Sequence, residues 1–321
     1  MHNPLLGTLK HAWQVMHPPR QPWDRGWLDV GDGHEIAFEQ CGHPGAPVAL
    51  VLHGGPGACS TPDDRRWFDP RQWRVVLADQ RGCGRSRAVD PLHANTTAHL
   101  VADLEALRRH LGVARWLLLG GSWGSTLALA YAQAHPQHVT GLVLRGVFLG
   151  TAAEGRALFG SLADDLHGAL QRDNDPAHTA ARAWWQCEQD HMAHEGPARP
   201  GLSDRTQSSA AGLRSARIGV HYARANWFLR DAELLQGASR LRGIPGVILQ
   251  GLADRVTPPA AGRALHAVWP AAQLVQVPGA GHAAQHPALA AALVDHIQTL
   301  AQTAHPTHPE ETPHGSREIC P

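Results

Sequence analysis

The sequence carries no excess of charge of one sign and no long apolar run. Its 28 Lys and Arg residues balance 28 Asp and Glu residues, so the formal net charge is zero. A nucleic-acid binder would show a basic excess on one face, and a membrane-spanning helix needs about 18 to 20 consecutive apolar residues. The longest apolar runs are of strand length, such as residues 48–52 and 117–119. The sequence therefore predicts neither a nucleic-acid partner nor a membrane span.

Cysteine is scarce, and its positions follow no metal or disulfide pattern. The five cysteines include no C-x-x-C pair and are Cys41, Cys59, Cys83, Cys187 and Cys320. An odd number of scattered thiols is typical of a reducing compartment. Residues 1–14 also lack an apolar stretch of signal-peptide length. We therefore expect a cytoplasmic protein, whose oligomeric state the composition does not indicate.

Short apolar runs and helical patterns alternate along the chain. Two runs flank the turn signal Gly31-Asp32-Gly33, which predicts a β-hairpin. The other runs lack polar alternation, as expected for parallel strands buried on both faces. After the hairpin, the predicted strands are residues 48–52, 74–78, 116–119, 141–144, 246–249 and 274–277, and the predicted helices are residues 99–111, 125–135, 260–268 and 288–304. This alternation predicts an α/β fold with a mostly parallel sheet.

One long segment breaks this alternation. Residues 149–236 are rich in Ala, Arg and Trp and predict a helical cap inserted into the core. The core would then comprise residues 1–148 and 237–304. Residues 305–321 contain mainly Pro, His, Thr and Glu, a composition that predicts a disordered tail.

A serine motif lies at the end of one predicted strand. Residues 120–124 read Gly-Gly-Ser-Trp-Gly, which matches G-x-S-x-G, and they separate the strand at 116–119 from the following helix. A tight strand-to-helix turn holds such a serine in a strained conformation and exposes its hydroxyl above the sheet. The alternative is a glycine-rich loop with a solvated serine. The flanking strand and helix favour Ser122 as a nucleophile.

A nucleophilic serine needs a base and a carboxylate that orients the base. In α/β hydrolases these follow in the order Ser, Asp or Glu, His. Asp254 and His282 each come shortly after a predicted strand, and His282 is preceded by Gly279-Ala-Gly. Among the 23 histidines, this strand-end position distinguishes His282 from a surface residue such as His286. We therefore predict Ser122, Asp254 and His282 as a catalytic triad.

A second glycine-rich turn follows the strand at 48–52. Residues 53–57 read His-Gly-Gly-Pro-Gly, and such a turn can present backbone N–H groups to an oxyanion. Its partner would be the N–H of Trp123, the residue after the nucleophile. A phosphate-binding loop is the alternative, but the sequence has no Gly-Lys-Ser/Thr. No motif calls for a cofactor or a metal.

Together these strings resemble the proline iminopeptidases, serine peptidases of the α/β-hydrolase fold. The matching residues are 53–57, 79–86 (Asp-Gln-Arg-Gly-Cys-Gly-Arg-Ser), 95–97, 120–126 and 144–148. The resemblance implies Gly55 and Trp123 as oxyanion donors. It also implies Phe148 in the pocket for an N-terminal proline. It is dense over residues 39–148 and looser over residues 180–282.

The predicted cap departs from that family beside one acidic position and at a second one. The family carries a Trp-Glu string that here reads Cys187-Glu188, so the glutamate is kept. A second glutamate, in Arg-Ile-Glu-x-His-Tyr, is replaced by Gly219. In the family, the two acids hold the free amino group of the substrate. The resemblance therefore implies Glu188 as the substrate-binding acid that is left.

The sequence thus predicts a serine hydrolase that acts on a peptide or small acyl substrate through an acyl-enzyme. Release of N-terminal proline is the main expectation. An esterase or amidase with an altered cap is the first alternative. A non-catalytic binding protein of the same fold is the second, although the presence of all three triad residues argues against it.

Overall fold

The computed structural model describes residues 15–192 and 210–304, with side chains up to residue 300. The expected disordered tail, residues 305–321, lies outside the described residues, as does Cys320. No helix in the described ranges is both long and apolar enough to cross a membrane.

A single mixed sheet organises the described chain. Its nine strands are β1 (Asp24–Asp29), β2 (His34–Gly42), β3 (Val48–Leu52), β4 (Arg74–Ala78), β5 (Arg87–Ala88), β6 (Trp116–Ser122), β7 (Val139–Val147), β8 (Gly246–Gly251) and β9 (Ala272–Val277). The spatial order is β1-β2-β4-β3-β6-β7-β8-β9, and β5 pairs with β2. Strands β4, β3, β6, β7, β8 and β9 are parallel, whereas β2 is antiparallel to its neighbours. The predicted α/β class and mostly parallel sheet are confirmed.

Nine α-helices accompany the sheet in the described residues. They are α1 (Thr97–His110), α2 (Trp123–Ala134), α3 (Ala152–Phe159), α4 (Leu162–Leu170), α5 (Asp175–Met192), α6 (Ala210–Arg224), α7 (Glu233–Gln236), α8 (Pro259–Val268) and α9 (Pro287–Ala304). Helix α1 begins after Thr96, whose hydroxyl accepts a hydrogen bond from the His99 N–H and so caps the helix.

The central strands are apolar throughout because both faces of the sheet are covered. In β3, Leu50 and Leu52 belong to one buried cluster, and Ala49 and Val51 belong to another. Alternate residues of a strand point to opposite faces, so each face has its own core. This explains why the predicted strands showed runs rather than alternation. The hairpin strands β1 and β2 also pair as predicted.

Between β7 and β8, the described chain forms helices and turns. Helices α4, α5 and α6 share a third apolar cluster that includes Leu170, Trp184 and Leu213. This cluster is separate from the two cores of the sheet. The composition of this segment predicted a helical insertion; the division into core and cap stays a prediction, which these helices support.

Candidate active site

Ser122 occupies the sharp turn between β6 and α2. Its backbone has φ +56° and ψ −129°, a conformation that is strained for a residue with a side chain. Strand β6 runs through to this residue, three positions beyond the predicted end. A Cβ at Gly124 would lie 2.1 Å from the Leu52 carbonyl oxygen, so the turn packs against β3 too closely for a larger residue. The predicted strand–turn–helix context of Ser122 is therefore present.

Ser125 ties the serine turn to the start of the cap. Its hydroxyl donates to the Ser122 carbonyl oxygen over 2.6 Å and accepts from the Phe148 N–H over 3.0 Å. Thr126 donates to the Phe148 carbonyl oxygen over 2.6 Å. Phe148 is buried. Two hydrogen bonds from one turn of α2 thus hold Phe148 beside the serine turn.

Asp254 and His282 form a buried pair at the ends of β8 and β9. The His282 Nδ1 lies 2.9 Å from the Asp254 Oδ2, and both side chains are almost fully buried. The same carboxylate accepts the N–H groups of Val256 and Thr257 over 3.0 and 2.8 Å. An aspartate on the Nδ1 side of a histidine orients the ring and leaves Nε2 available for chemistry.

Thr257 is a further partner of this pair. Its hydroxyl lies 2.8 Å from the Asp254 Oδ2 and 3.1 Å from the His282 Nδ1. Burial alone would raise the pKa of Asp254, but His282 and the hydrogen bonds from Thr257 outweigh burial and hold that pKa below its usual value. The sequence singled out the aspartate but not this hydroxyl. Its only signal was its position, three residues after Asp254 in the same loop.

Gly146 brings the serine strand and the Asp–His pair together. The β6–β7 register shifts at this point, so that Ser122 pairs with Val147. Gly146 has φ +54°, and a Cβ there would lie 3.0 to 3.2 Å from atoms of Thr257, Asp254 and His282. A larger residue would therefore push against the pair. The three predicted triad residues thus lie at or just after the carboxyl ends of β6, β8 and β9, on the same edge of the sheet.

The glycine loop after β3 lies against the serine turn. A Cβ at Gly54 would be 3.5 Å from the Ser122 Cβ, and one at Gly55 would be 2.6 Å from the Gly57 nitrogen. Gly55 also has φ +117°, which favours glycine. The loop therefore presents backbone, not side chains, next to Ser122.

Glu188 lies on the cap helix α5, and its carboxyl interacts electrostatically with His282. Burial raises the pKa of its carboxyl, against the opposing charges of His282, Arg145 and His191. No ion pair joins Glu188 to an arginine within the described residues. Glu188 is therefore a half-buried carboxylate rather than a fully exposed residue of the cap surface.

Aromatic side chains of the cap pack around Phe148. Its ring meets Trp227 edge to face at 4.8 Å, and Phe159 stacks on Trp184 at 4.3 Å. Phe159 also lies 6.5 Å from Trp227. These four rings connect the end of β7 with helices α3 and α5.

A cluster of possible metal ligands lies elsewhere in the described chain. It contains Glu105, His135 and His138. Glu105 already accepts hydrogen bonds from Arg108, Arg109 and Tyr131. Because the guanidinium groups of Arg108 and Arg109 already bind the single carboxylate of this cluster, they would repel a metal cation. The cluster is therefore an ion-pair network.

Comparisons with known proteins agree with this geometry. A profile of the alpha/beta hydrolase fold matches residues 47–288. A probable proline iminopeptidase of Streptomyces coelicolor is 42% identical and aligns with 83% of this chain and 92% of its own length. The proline iminopeptidase of Arabidopsis thaliana is 40% identical, over 88% of this chain and 80% of its own length. The chain belongs to the proline iminopeptidase family.

A solved structure of the same family has the same fold. The proline iminopeptidase of Mycobacterium smegmatis superposes with a TM-score of 0.64 at 20% identity, over 88% of this chain and all of that one. At this identity the superposition establishes the fold alone.

Trp184 lies against Gly219, the cap position where the resemblance implies a second glutamate. A Cβ at Gly219 would lie 2.5 Å from the Trp184 indole nitrogen, so Trp184 fills the space that a side chain at 219 would need. Any acid at this position would require the indole to move. The sequence showed the loss of the glutamate but not the ring that occupies its place.

Proposed function

We propose that this protein is a serine hydrolase that releases N-terminal proline from peptides. The observation that carries the proposal is the buried Asp254–His282 pair beside the strained serine turn. Ser122 would attack the scissile carbonyl while the His282 Nε2 takes its proton. His282 would then protonate the leaving amine, and an acyl-enzyme would remain on Ser122. Water, activated by His282, would release proline and restore the serine.

The remaining residues bind the substrate and its transition state in this proposal. The backbone N–H groups of Gly55 and Trp123 would stabilise the oxyanion. Phe148 would line the pocket for the proline ring. Glu188 would bind the free α-amino group, and its partial burial strengthens attraction to a cation. The free thiols Cys41, Cys59, Cys83 and Cys187 accord with a proposed cytoplasmic location.

A panel of substrates tests the proposal. Prolyl and alanyl amides, their N-blocked forms and simple aryl esters would be compared by kcat/KM. We expect the free prolyl amide to be the best amide substrate and N-blocking to remove most of that activity. Equal rates on free and blocked amides would contradict aminopeptidase activity.

An esterase or amidase is the second candidate, and one observation favours it. Gly219 stands where the resemblance implies the second family acid, and Trp184 lies against it, so the amino group would have one carboxylate fewer. In that case, simple esters would have a higher kcat/KM than every prolyl amide. A non-catalytic binding protein would show neither turnover nor covalent labelling of Ser122.

A further inference from the structure

The side chain of Gln80 joins the two core segments that carry the proposed oxyanion donors. Gln80 follows β4 and is buried. The Trp123 indole Nε1 donates to the Gln80 Oε1 over 2.8 Å. The Gln80 Nε2 donates to the His53 carbonyl oxygen over 3.0 Å. One amide therefore bridges the first residue of α2 and the first residue of the glycine loop.

The donor and acceptor roles of its two partners fix the orientation of the Gln80 amide. An indole N–H is a donor only, so the atom facing Trp123 must be the Gln80 oxygen. The Gln80 nitrogen must then face the His53 carbonyl, which is an acceptor only. Reversing the amide would place a donor against a donor and an acceptor against an acceptor. Both ends of the bridge are specific to an amide.

His53 extends the bridge into the loop backbone. The Gln80 backbone N–H donates to the His53 Nε2 over 3.0 Å. Because this nitrogen accepts, the ring proton lies on Nδ1, which donates to the Gly54 carbonyl oxygen over 2.9 Å. Gln80 thus fixes the loop by its backbone and by its side chain.

The glycine loop depends on these bonds because it has few side chains of its own. Gly55 and Gly57 have φ values of +117° and +100° and contribute no packing side chain. An oxyanion hole works only when its donors lie about 2.7 to 3.1 Å from the position of the developing charge. Small shifts of either segment would therefore weaken binding of the transition state more than binding of the substrate.

We propose that Gln80 is a positioning residue that holds the backbone N–H groups of Gly55 and Trp123 where both can donate to the same oxyanion. The inference rests on the proposed hydrolase function. It assigns Gln80 no contact with the substrate. Its loss should lower kcat and leave KM unchanged, because the donors act mainly in the transition state.

Gln80→Met tests this role, because methionine keeps the length and volume while removing both hydrogen bonds. Gln133→Met is the matched control. Gln133 is also a buried glutamine, lies at the other end of α2, and donates to the Leu234 carbonyl oxygen over 2.7 Å. Each variant would be assayed for kcat, KM, melting temperature, inhibition by a prolyl boronate and inhibition by free proline.

We expect Gln80→Met to lower kcat about 10- to 100-fold, less than the loss of a whole oxyanion donor. Inhibition by the boronate, which forms a tetrahedral adduct, should weaken by a similar factor. Inhibition by free proline should not change. Gln133→Met should lower the melting temperature and leave the ratio of the two inhibition constants as in the wild type. A Gln80→Met protein with wild-type kcat and boronate affinity would overturn the inference.

A double variant separates positioning from general destabilisation. Trp123→Phe removes the indole end of the bridge, so Gln80→Met should have little further effect on kcat in that background. Fully additive losses would argue against a shared bridge. If the wild type cleaves aryl esters but no prolyl amide, the proposed specificity fails while the same comparison on esters still tests Gln80. A wild type inert toward both, and unreactive with the boronate, overturns the proposed function and this inference together.

Discussion

The core and the cap of this protein differ in how closely their sequences resemble the proline iminopeptidase motifs. In the core, the strings at residues 53–57 and 120–126 carry the resemblance to the family, and hydrogen bonds hold the Ser122 carbonyl and the His282 ring. In the cap, Cys187 and Gly219 replace a tryptophan and a glutamate. The space beside Gly219 is filled by Trp184.

The difference follows from what each region must do. A proton transfer needs heavy atoms within hydrogen-bonding distance, so a shift at the strand ends would abolish it. A pocket wall tolerates exchange of one residue if a neighbour takes its volume. In the proposed function, the triad in the core carries the chemistry and Glu188 in the cap carries amine recognition, so substitutions in the two regions should have effects of different size.

Ser122→Ala should have the largest effect, a loss of about 10⁶ in kcat on amides and esters alike. No other nucleophile would form the acyl-enzyme. Ser161→Ala, at an exposed serine of the cap, should behave as the wild type. A Ser122→Ala protein with one tenth of the wild-type activity would contradict the assignment.

Asp254→Asn should lower kcat by about 10⁴ on every substrate, because an amide favours the wrong tautomer of His282. Steady-state kinetics on a prolyl amide and an aryl ester would measure it. The control is Asp295→Asn, since Asp295 lies on α9 with 78% of its side chain exposed. Nearly full activity of Asp254→Asn would require another carboxylate, and Asp231 and Glu233 would be tested next.

Glu188→Gln should lower kcat/KM for a free prolyl amide about 10- to 150-fold, the equivalent of a charge-assisted hydrogen bond of about 1.5 to 3 kcal/mol. Hydrolysis of an uncharged ester should change little. Asp190→Asn is the control on the same helix, where Asp190 is exposed and bonded to Gln186. Equal losses on the two substrates would remove Glu188 from amine recognition.

The preference for a free amine should also depend on pH through Glu188. Its pKa is raised, so protonation begins at higher pH than for an ordinary glutamate, near 4.3. The protonated acid no longer attracts an ammonium group. The ratio of amide to ester kcat/KM should therefore fall as the pH drops, already above the usual carboxyl range. In Glu188→Gln, the ratio should lose this dependence.

Thr257→Val should lower kcat about tenfold, which corresponds to a net hydrogen bond of about 1.4 kcal/mol. Valine has the same shape but gives Asp254 and His282 no hydroxyl. Thr257→Ser should retain most of the activity because it keeps that group. If Thr257→Val and Thr257→Ser have equal kcat values, the hydroxyl does not position the Asp254–His282 pair.

Gly219→Glu should fail to restore amine discrimination by itself. Its Cβ would overlap Trp184, and overpacking of this kind costs about 1 to 3 kcal/mol of stability, measurable by thermal unfolding. Combined with Trp184→Ala, it should cost less stability than the sum of the two single losses, because the glutamate takes up part of the space that the indole leaves. A stable single variant with sharper discrimination would show that the indole moves aside easily.

Several features of the site could be read from local sequence. The turn at Ser122 and the loop at 53–57 are marked by glycines, which short-range sterics require. The residues Asp254 and His282 follow apolar runs, and the ends of parallel strands meet at one edge of the sheet. Periodicity and turn chemistry act within a few residues, so they are visible in a single sequence.

The remaining features depend on contacts between distant segments. Gln80 bridges His53 and Trp123, which lie 27 and 43 residues away along the chain. Trp184 fills the place beside Gly219, and Gly146 makes room for a pair more than 100 residues further on. Amino-acid sequence by itself determined the fold class and the residues proposed to carry the chemistry. Tertiary packing decided how those residues are supported and how much room the substrate has, because these distances are set only when separate strands and helices meet.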